Sequence, residues 1–173
     1  LAALDSEFRL QARARGLDLA VQRTALVART DPRLLRRILQ NFLANAVRYT
    51  ERGRIVVGCR RAGGRVRIEV WDTGPGIADD QRQRIFEEFY RIRAGEDAPG
   101  AAPGRGFGLG LAIVERIARV LDAPVAVRSW PGRGSAFSVE VPRGERAAQR
   151  VADLRPAPAL DRLRVLVVDN DAA

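Results

Sequence analysis

Asn41 and Asn45 stand one helical turn apart in a stretch of periodic apolar residues, with Arg48 close behind. At about 100° per residue both amides point within about 20° of Leu34, along one edge of an apolar helix face, and Arg48 lies on the same side. Carboxamide oxygens suit a hard cation such as Mg²⁺, and a guanidinium suits phosphate. Two amides at such an edge serve equally well as caps or interhelix hydrogen bonds, because buried polar groups must find partners. A second segment, Asp72-Thr73-Gly74-Pro75-Gly76-Ile77, directly follows an apolar strand. A carboxylate at a strand end can accept a hydrogen bond from an exocyclic amine, and two glycines around a proline let backbone approach a ligand closely. The same residues also make a plain turn with an Asx cap. In a third segment, Gly104-Arg105-Gly106-Phe107-Gly108-Leu109-Gly110-Leu111, alternating glycines open a helix. They can expose N–H groups toward a polyphosphate, or simply form a flexible loop. The spacing is neither the dinucleotide fingerprint nor a P-loop: no Lys-Ser/Thr follows, and no strand closely precedes it.

The elements that must position these residues are legible in outline. Leu1 to Arg15 reads as an Arg-rich helix stopped by Gly16, and Leu17 to Val21 alternates like a strand. Thr30-Asp31-Pro32 starts a helix that runs over 33–49 with apolar residues at helical spacing. Residues 54–60 and 65–71 form a hairpin through Ala62-Gly63-Gly64. A second helix is expected over Asp79 to Tyr90, a loop over 91–106 and a third helix over Leu109 to Leu121. Two further strands, 125–130 and 135–141, flank Pro131-Gly132-Arg133-Gly134.

Composition narrows the function classes. Of 173 residues, 46% are hydrophobic, which excludes a disordered chain. No apolar run approaches the roughly 20 residues of a membrane span, and the first residues show no secretory signal pattern. The single cysteine, Cys59, cannot close an intrachain disulfide; it reads as a core residue and fits a reducing compartment. With no histidine in the chain, a zinc site is not expected. The net charge of +9 comes entirely from arginine as the basic residue. These arginines are scattered and not interleaved with aromatic residues, so specific nucleic-acid binding is not expected.

Taken in order, the motifs resemble the histidine-kinase branch of the GHKL ATPases. Asn41-Phe-Leu-Ala-Asn-Ala-Val-Arg-Tyr-Thr50 is similar to its N box, Asp72 to Ile77 to its G1 box, Ile85-Phe-Glu-Glu-Phe-Tyr-Arg91 to its F box, and Gly106-Phe-Gly-Leu-Gly-Leu-Ala-Ile-Val114 to its G2 box. Gly132-Arg-Gly-Ser-Ala-Phe137 resembles the entry to its closing strand, and the resemblance spans residues 8–142. It implies a two-layer α/β sandwich, a mixed sheet of about five strands under three helices. It also implies ATP and Mg²⁺ as ligands. Asn45 would coordinate Mg²⁺, Asn41 and Arg48 would contact phosphate, and Asn45 and Arg48 would carry the catalytic role. Tyr49 would line the nucleotide pocket. Asp72 would accept from the adenine amino group, with Gly74, Gly76 and Ile77 shaping that wall. Gly106, Phe107, Gly108, Leu109 and Gly110 would close over the phosphates, and Arg91 and Arg105 are candidate partners of the terminal phosphate. Phe107 stands where the family often has a polar residue, and Arg48 where Lys is common.

The resemblance further implies the organisation and partners. Residues 1–7 are expected to end a linker from dimerisation helices, 8–142 to form the ATP-binding catalytic domain, and 143–161 to be a linker. Residues 162–173, ending Val-Leu-Val-Val-Asp-Asn-Asp171, resemble the first strand of a truncated receiver domain, with Asn170 where a second acid is usual. The expected activity is transfer of the ATP γ-phosphoryl group to a His on a separate dimerisation domain, with relay to an Asp of an own or cognate receiver. The alternative is a non-catalytic nucleotide-binding or docking module. The chain by itself is expected to be monomeric and cytoplasmic, within a homodimeric parent that is either soluble or membrane-anchored.

Overall fold

The computed structural model describes residues 1–90 and 108–145. Its elements are α1 (Ala2–Ala14), β1 (Asp18–Val21), α2 (Pro32–Tyr49), β2 (Arg54–Ala62), β3 (Arg65–Asp72), a 3₁₀ turn (Arg84–Phe86), α3 (Gly110–Val120), β4 (Val125–Trp130) and β5 (Gly134–Pro142). The strands form one mixed sheet in the order β1-β2-β3-β5-β4. β1 runs parallel to β2, and every other pair is antiparallel. The expected α/β architecture, a five-stranded mixed sheet with three helices, is the one observed.

α2 is the element on which the core is built. Asp31 caps it, its Oδ1 accepting from the backbone N–H groups of Arg33 (2.7 Å) and Leu34 (3.0 Å), and Pro32 occupies the first turn where its missing N–H costs nothing. Ile38, Leu39, Phe42, Leu43, Ala46 and Val47 are buried. They join one core with Ile55 and Val57 of β2, Val66, Ile68 and Val70 of β3, and Phe137, Val139 and Val141 of β5. These alternate residues put one sheet face against the helices, as a period of two requires. The Phe42 and Phe137 rings pack tilted at 5.4 Å between centroids. Arg15 donates to the carbonyls of Val47 (2.7 Å) and Arg48 (3.1 Å), satisfying acceptors that the last turn of α2 leaves open.

Two expectations differ from the structure. The helix expected over 79–90 is a series of turns with one short 3₁₀ turn, Arg84–Phe86. Only Ile85 of that turn is buried, so it lacks the continuous apolar stripe that would stabilise a regular helix. At the N-terminus, the boundary placed at residue 8 falls inside α1. Leu4, Phe8 and Ala12 are all buried in the common core, and Glu7 accepts from Arg36 and Gln40 of α2. The loop expected over 91–106 lies wholly outside the described residues, and so do the segment 146–161 and the receiver-like strand.

Phe42 is fully buried and stacks on the central part of the sheet. Phe42→Ala is expected to cost about 3–5 kcal/mol, the range for truncating a core aromatic. Urea unfolding followed by circular dichroism measures it; a loss below about 1 kcal/mol would show that the core collapses onto the gap.

Candidate functional site

A cavity of about 460 Å³ opens between α2, the end of β3 and the N-terminus of α3, a volume within the range of small-molecule sites. Asn41, Asn45, Arg48 and Tyr49 of α2 line one side. Asp72, Gly76 and Ile77 form the floor, and Gly108, Leu109 and Gly110 lie at the rim. The N-box, G1 and G2 residues singled out from the sequence thus converge wherever the structure describes them, with one exception. Gly74 does not line the cavity; its backbone N–H instead donates to Asp72 Oδ1 at 2.9 Å, so it acts from behind the carboxylate. Arg91, Arg105, Gly106 and Phe107 lie outside the described residues.

Asp72 ends the central strand and is the one carboxylate among the described residues of the lining. Its Oδ1 also accepts from the backbone N–H of Ser135 at 3.2 Å, across the β3–β5 register. Among the described residues no hydrogen bond falls on Oδ2, so one oxygen is committed to the scaffold and the other is available to a ligand donor. Burial pushes the Asp72 carboxyl above the ordinary carboxylate range, and the Gly74 and Ser135 amides draw it part of the way back.

The turn that follows Asp72 is fastened to the β4–β5 hairpin. Ser129 Oγ accepts from the backbone N–H of Ile77 at 2.7 Å, and the carbonyl of Pro75 accepts from that of Gly132 at 2.7 Å. Gly76 sits at φ +72°, and a Cβ there would lie 2.2 Å from the Trp130 carbonyl oxygen. Only glycine lets this turn approach the hairpin so closely.

At the opposite rim, Gly108 (φ +69°) packs on the backbone of Phe89 and Tyr90, and its carbonyl accepts from the Phe89 N–H at 3.2 Å. The F-box segment and the start of the G2 segment therefore meet. Asn41 donates its amide to the Arg37 carbonyl at 2.8 Å. Its oxygen is turned toward Gly110, where a Cβ would stand 2.9 Å away. The N-terminus of α3 thus lies close against that edge of α2, and a side chain at residue 110 would displace the Asn41 carboxamide.

Sequence reasoning missed Ser135, which lines the cavity, orients Asp72 through its N–H and shares a 2.8 Å hydroxyl contact with Ser129. It also missed Tyr90 and Phe137 as lining residues. The inward alternation of Ser135 with Phe137 was readable, but the register that sets Ser135 opposite Asp72 is a long-range pairing.

The donor set fits a nucleotide: one free carboxylate oxygen, two carboxamides, a guanidinium and a glycine-rich helix start. Among the described residues no group of three or more acidic, Cys or His side chains could hold a metal by itself. A divalent cation at this site would therefore depend on ligand oxygens together with Asn45, as Mg²⁺ commonly does on phosphates.

The raised pKa of Asp72 carries a sign. The folded carboxyl keeps its proton to higher pH than the unfolded chain, so stability is lost as pH rises from the ordinary carboxylate range through the folded pKa. Asp72→Asn keeps an Oδ1 acceptor and removes the charge. At pH 7.5 this variant is expected to melt at or above wild type, with the difference closing on acidification. Calorimetric melting at several pH values checks this, and a variant melting several degrees below wild type at pH 7.5 contradicts it.

Residues 30–145 match the family described as histidine kinase-, DNA gyrase B-, and HSP90-like ATPases. The chain is 34% identical over 179 residues to the aerobic respiration control sensor protein ArcB of Escherichia coli, covering 98% of this chain and 22% of ArcB. It is 42% identical over 113 residues to the sensor-like histidine kinase SenX3 of Mycobacterium tuberculosis, covering 65% of this chain and 27% of SenX3. The chain thus spans about a quarter of the length of these relatives. Among solved structures, full-length ShkA in complex with AMPPNP superimposes with a TM-score of 0.71 at 35% identity, over 85% of this chain and 30% of that one. The catalytic domain of the histidine kinase ThkA, at 23% identity, shares the fold with a TM-score of 0.68 over 82% of this chain and 89% of that one. The chain belongs to the histidine kinase-, DNA gyrase B-, and HSP90-like ATPase family, as an ATP-binding catalytic domain of the sensor-histidine-kinase type.

Proposed function

We propose that this chain binds ATP with Mg²⁺ in the cavity described above and presents the γ-phosphoryl group to a histidine on a separate dimerisation domain. The observation that carries the reading is the placement of Asp72. A half-buried carboxylate with one oxygen pinned by two backbone donors leaves the other to accept from the adenine amine. Asn41, Asn45 and Arg48 then stand on the same helix edge toward the phosphates. Asn45 offers a carboxamide oxygen to the metal, and Arg48 offers donors to phosphate. Tyr49 and Ile77 supply apolar walls for the base, and Gly108, Leu109 and Gly110 offer backbone N–H groups. Arg91, Arg105, Gly106 and Phe107 are assigned to the phosphate end on the motif resemblance alone.

When bound, ATP supplies the transferable group and Mg²⁺ neutralises its charge. The chain contributes position and electrostatics, which is most of what phosphoryl transfer asks of a protein. The acceptor histidine lies in another domain, because this chain has no histidine. Onward relay to an aspartate of an own or cognate receiver completes the proposed route, and residues 162–173 are read as the first strand of such a receiver. The parent is proposed to be a homodimer with this domain in the cytoplasm. Among the described residues no helix is long and apolar enough to cross a membrane.

Calorimetric titration with ATP or ADP, with and without Mg²⁺, tests the site. Asp72→Asn or Asp72→Ala is expected to abolish binding, and Asn45→Ala to remove mainly the Mg²⁺ dependence. Wild-type affinity in Asp72→Ala overturns the adenine assignment. Incubated with γ-labelled ATP, the chain is expected to stay unlabelled and to label its own dimerisation domain when that is added in trans, at a concentration replacing the lost tether. Tight Mg-ATP binding without any label on the added domain points to a non-catalytic nucleotide-binding module.

A further inference from the structure

Thr50 is the residue of the N-box segment to which the proposed function gives no task. It caps the C-terminus of α2, its backbone N–H donating to the Ala46 carbonyl at 3.1 Å. Its side chain is fully buried, and among the described residues its Oγ1 is a buried side-chain oxygen without a hydrogen-bond partner. Valine would fill the same volume without a group to satisfy. A hydroxyl stranded in the core is costly, so its position needs a reason.

The reason lies beside Gly74. A Cβ on that residue would stand 3.0 Å from Asp72 Oδ1, 3.1 Å from the Tyr49 carbonyl oxygen and 3.4 Å from Thr50 Oγ1. Three oxygens therefore lie within 3.4 Å of the one point that a side chain on residue 74 would occupy. The carbonyl and an ionised carboxylate can only accept, so Thr50 brings the one proton among the three.

We propose that Thr50 is a positioning residue for Asp72: its hydroxyl, unpartnered beside Gly74, turns to give a third hydrogen bond to the inner carboxylate oxygen. That bond favours the ionised carboxylate and fixes Oδ1, which keeps Oδ2 turned to the cavity. Arg48 and Tyr49 of α2 and Tyr90 are the charged or titratable side chains that line the cavity with Asp72, and β5 contributes the Ser135 N–H and hydroxyl. None of these is altered by a change at Thr50.

The inference rests on Asp72 as the adenine acceptor, and the test separates the two ideas. Thr50→Val removes the hydroxyl and keeps the shape; Thr50→Ser keeps the hydroxyl. In the ligand-free chain, the Asp72 carboxyl is titrated by carbon NMR of ¹³C-labelled aspartate, with Asp72→Asn giving the assignment. The titration midpoint is expected to move upward in Thr50→Val and to return in Thr50→Ser. ADP affinity at pH 7.5 is expected to fall about tenfold in Thr50→Val and to recover in Thr50→Ser, the scale of one lost hydrogen bond to a charged group. A Thr50→Val protein with an unmoved midpoint and equal or greater thermal stability overturns the proposal. A moved midpoint with unchanged ADP affinity supports the Thr50–Asp72 coupling and counts against the adenine assignment alone. Should Thr50→Val not fold, Thr50→Ala is read by the same two measurements.

Discussion

A carboxylate withdrawn from water at the end of the central strand is the constraint around which this structure is arranged. Asp72 loses solvation there and, among the described residues, accepts hydrogen bonds from two backbone N–H groups, one from its own turn and one from β5. The second donor exists because the β3–β5 register sets Ser135 opposite Asp72. That register is held by the core: Val66, Ile68 and Val70 face the helices beside Phe137, Val139 and Val141. A slip of one residue would turn both apolar sets to the wrong face and remove the donor at once. The packing of α2 on the sheet and the orientation of the Asp72 carboxylate are therefore one specification.

Glu69 shows what the same strand does with a carboxylate when cations are at hand. It stands three residues before Asp72, on the opposite sheet face, and is the less exposed of the two. Burial pushes its carboxyl up, but hydrogen bonds from Arg60 and Trp71, with the charges of Arg60 and Arg128, outweigh this and hold it below the ordinary range. Arg128 also lies over the Trp71 ring at 5.1 Å, and Trp71 stacks on Trp130 at 6.0 Å. The structural acid is thus neutralised within the chain, whereas among the described residues the hydrogen bonds to the cavity acid come from backbone amides. An environment that withholds a cation leaves the carboxylate something to gain from a ligand donor. Many of the arginines that give the chain its +9 charge serve in such pairs: Arg36 with Glu7, Arg65 with Asp122, Arg67 with Glu140. Most are exposed and contribute little individually.

Local signals in the sequence were enough for much of this. The periodicity of 33–49, capped by Asp31 and Pro32, located α2 and the edge that carries Asn41, Asn45 and Arg48. The hairpin 54–71 and the strands around Pro131-Gly132 were legible from alternation and turn residues. The segment 79–90 was misread because its Arg and Glu residues favour a helix, while the chain there buries only Ile85 and has no stripe to pack. Gly74 was assigned to the cavity wall because glycine between motif residues suggests ligand approach; its contact is instead with the back of the carboxylate. The tasks of Ser135 and Thr50 carried no local signal. Their tasks come from a strand register and from a three-oxygen niche assembled from residues 49, 50, 72 and 74, neither of which a one-dimensional pattern displays.

On the proposed reading, the cavity also accounts for why this domain needs a separate acceptor. Its polar lining consists of carboxamides, a guanidinium, phenols, one serine hydroxyl and one carboxylate. The serine is already bonded to Ser129, and the carboxylate lies at the end given to the base. Among the described residues that line it, none placed toward the phosphates is a nucleophile or a poised base. Asn41 has its amide tied back to Arg37 and its oxygen turned to the start of α3, so it holds geometry and does not exchange protons. Such a lining can align a phosphoryl group and screen its charge, and the gain from alignment is large only when the attacking atom is held as well. That second half of the geometry must come from whatever domain carries the acceptor. The rate then depends on the effective concentration a tether provides, as much as on any residue in the cavity.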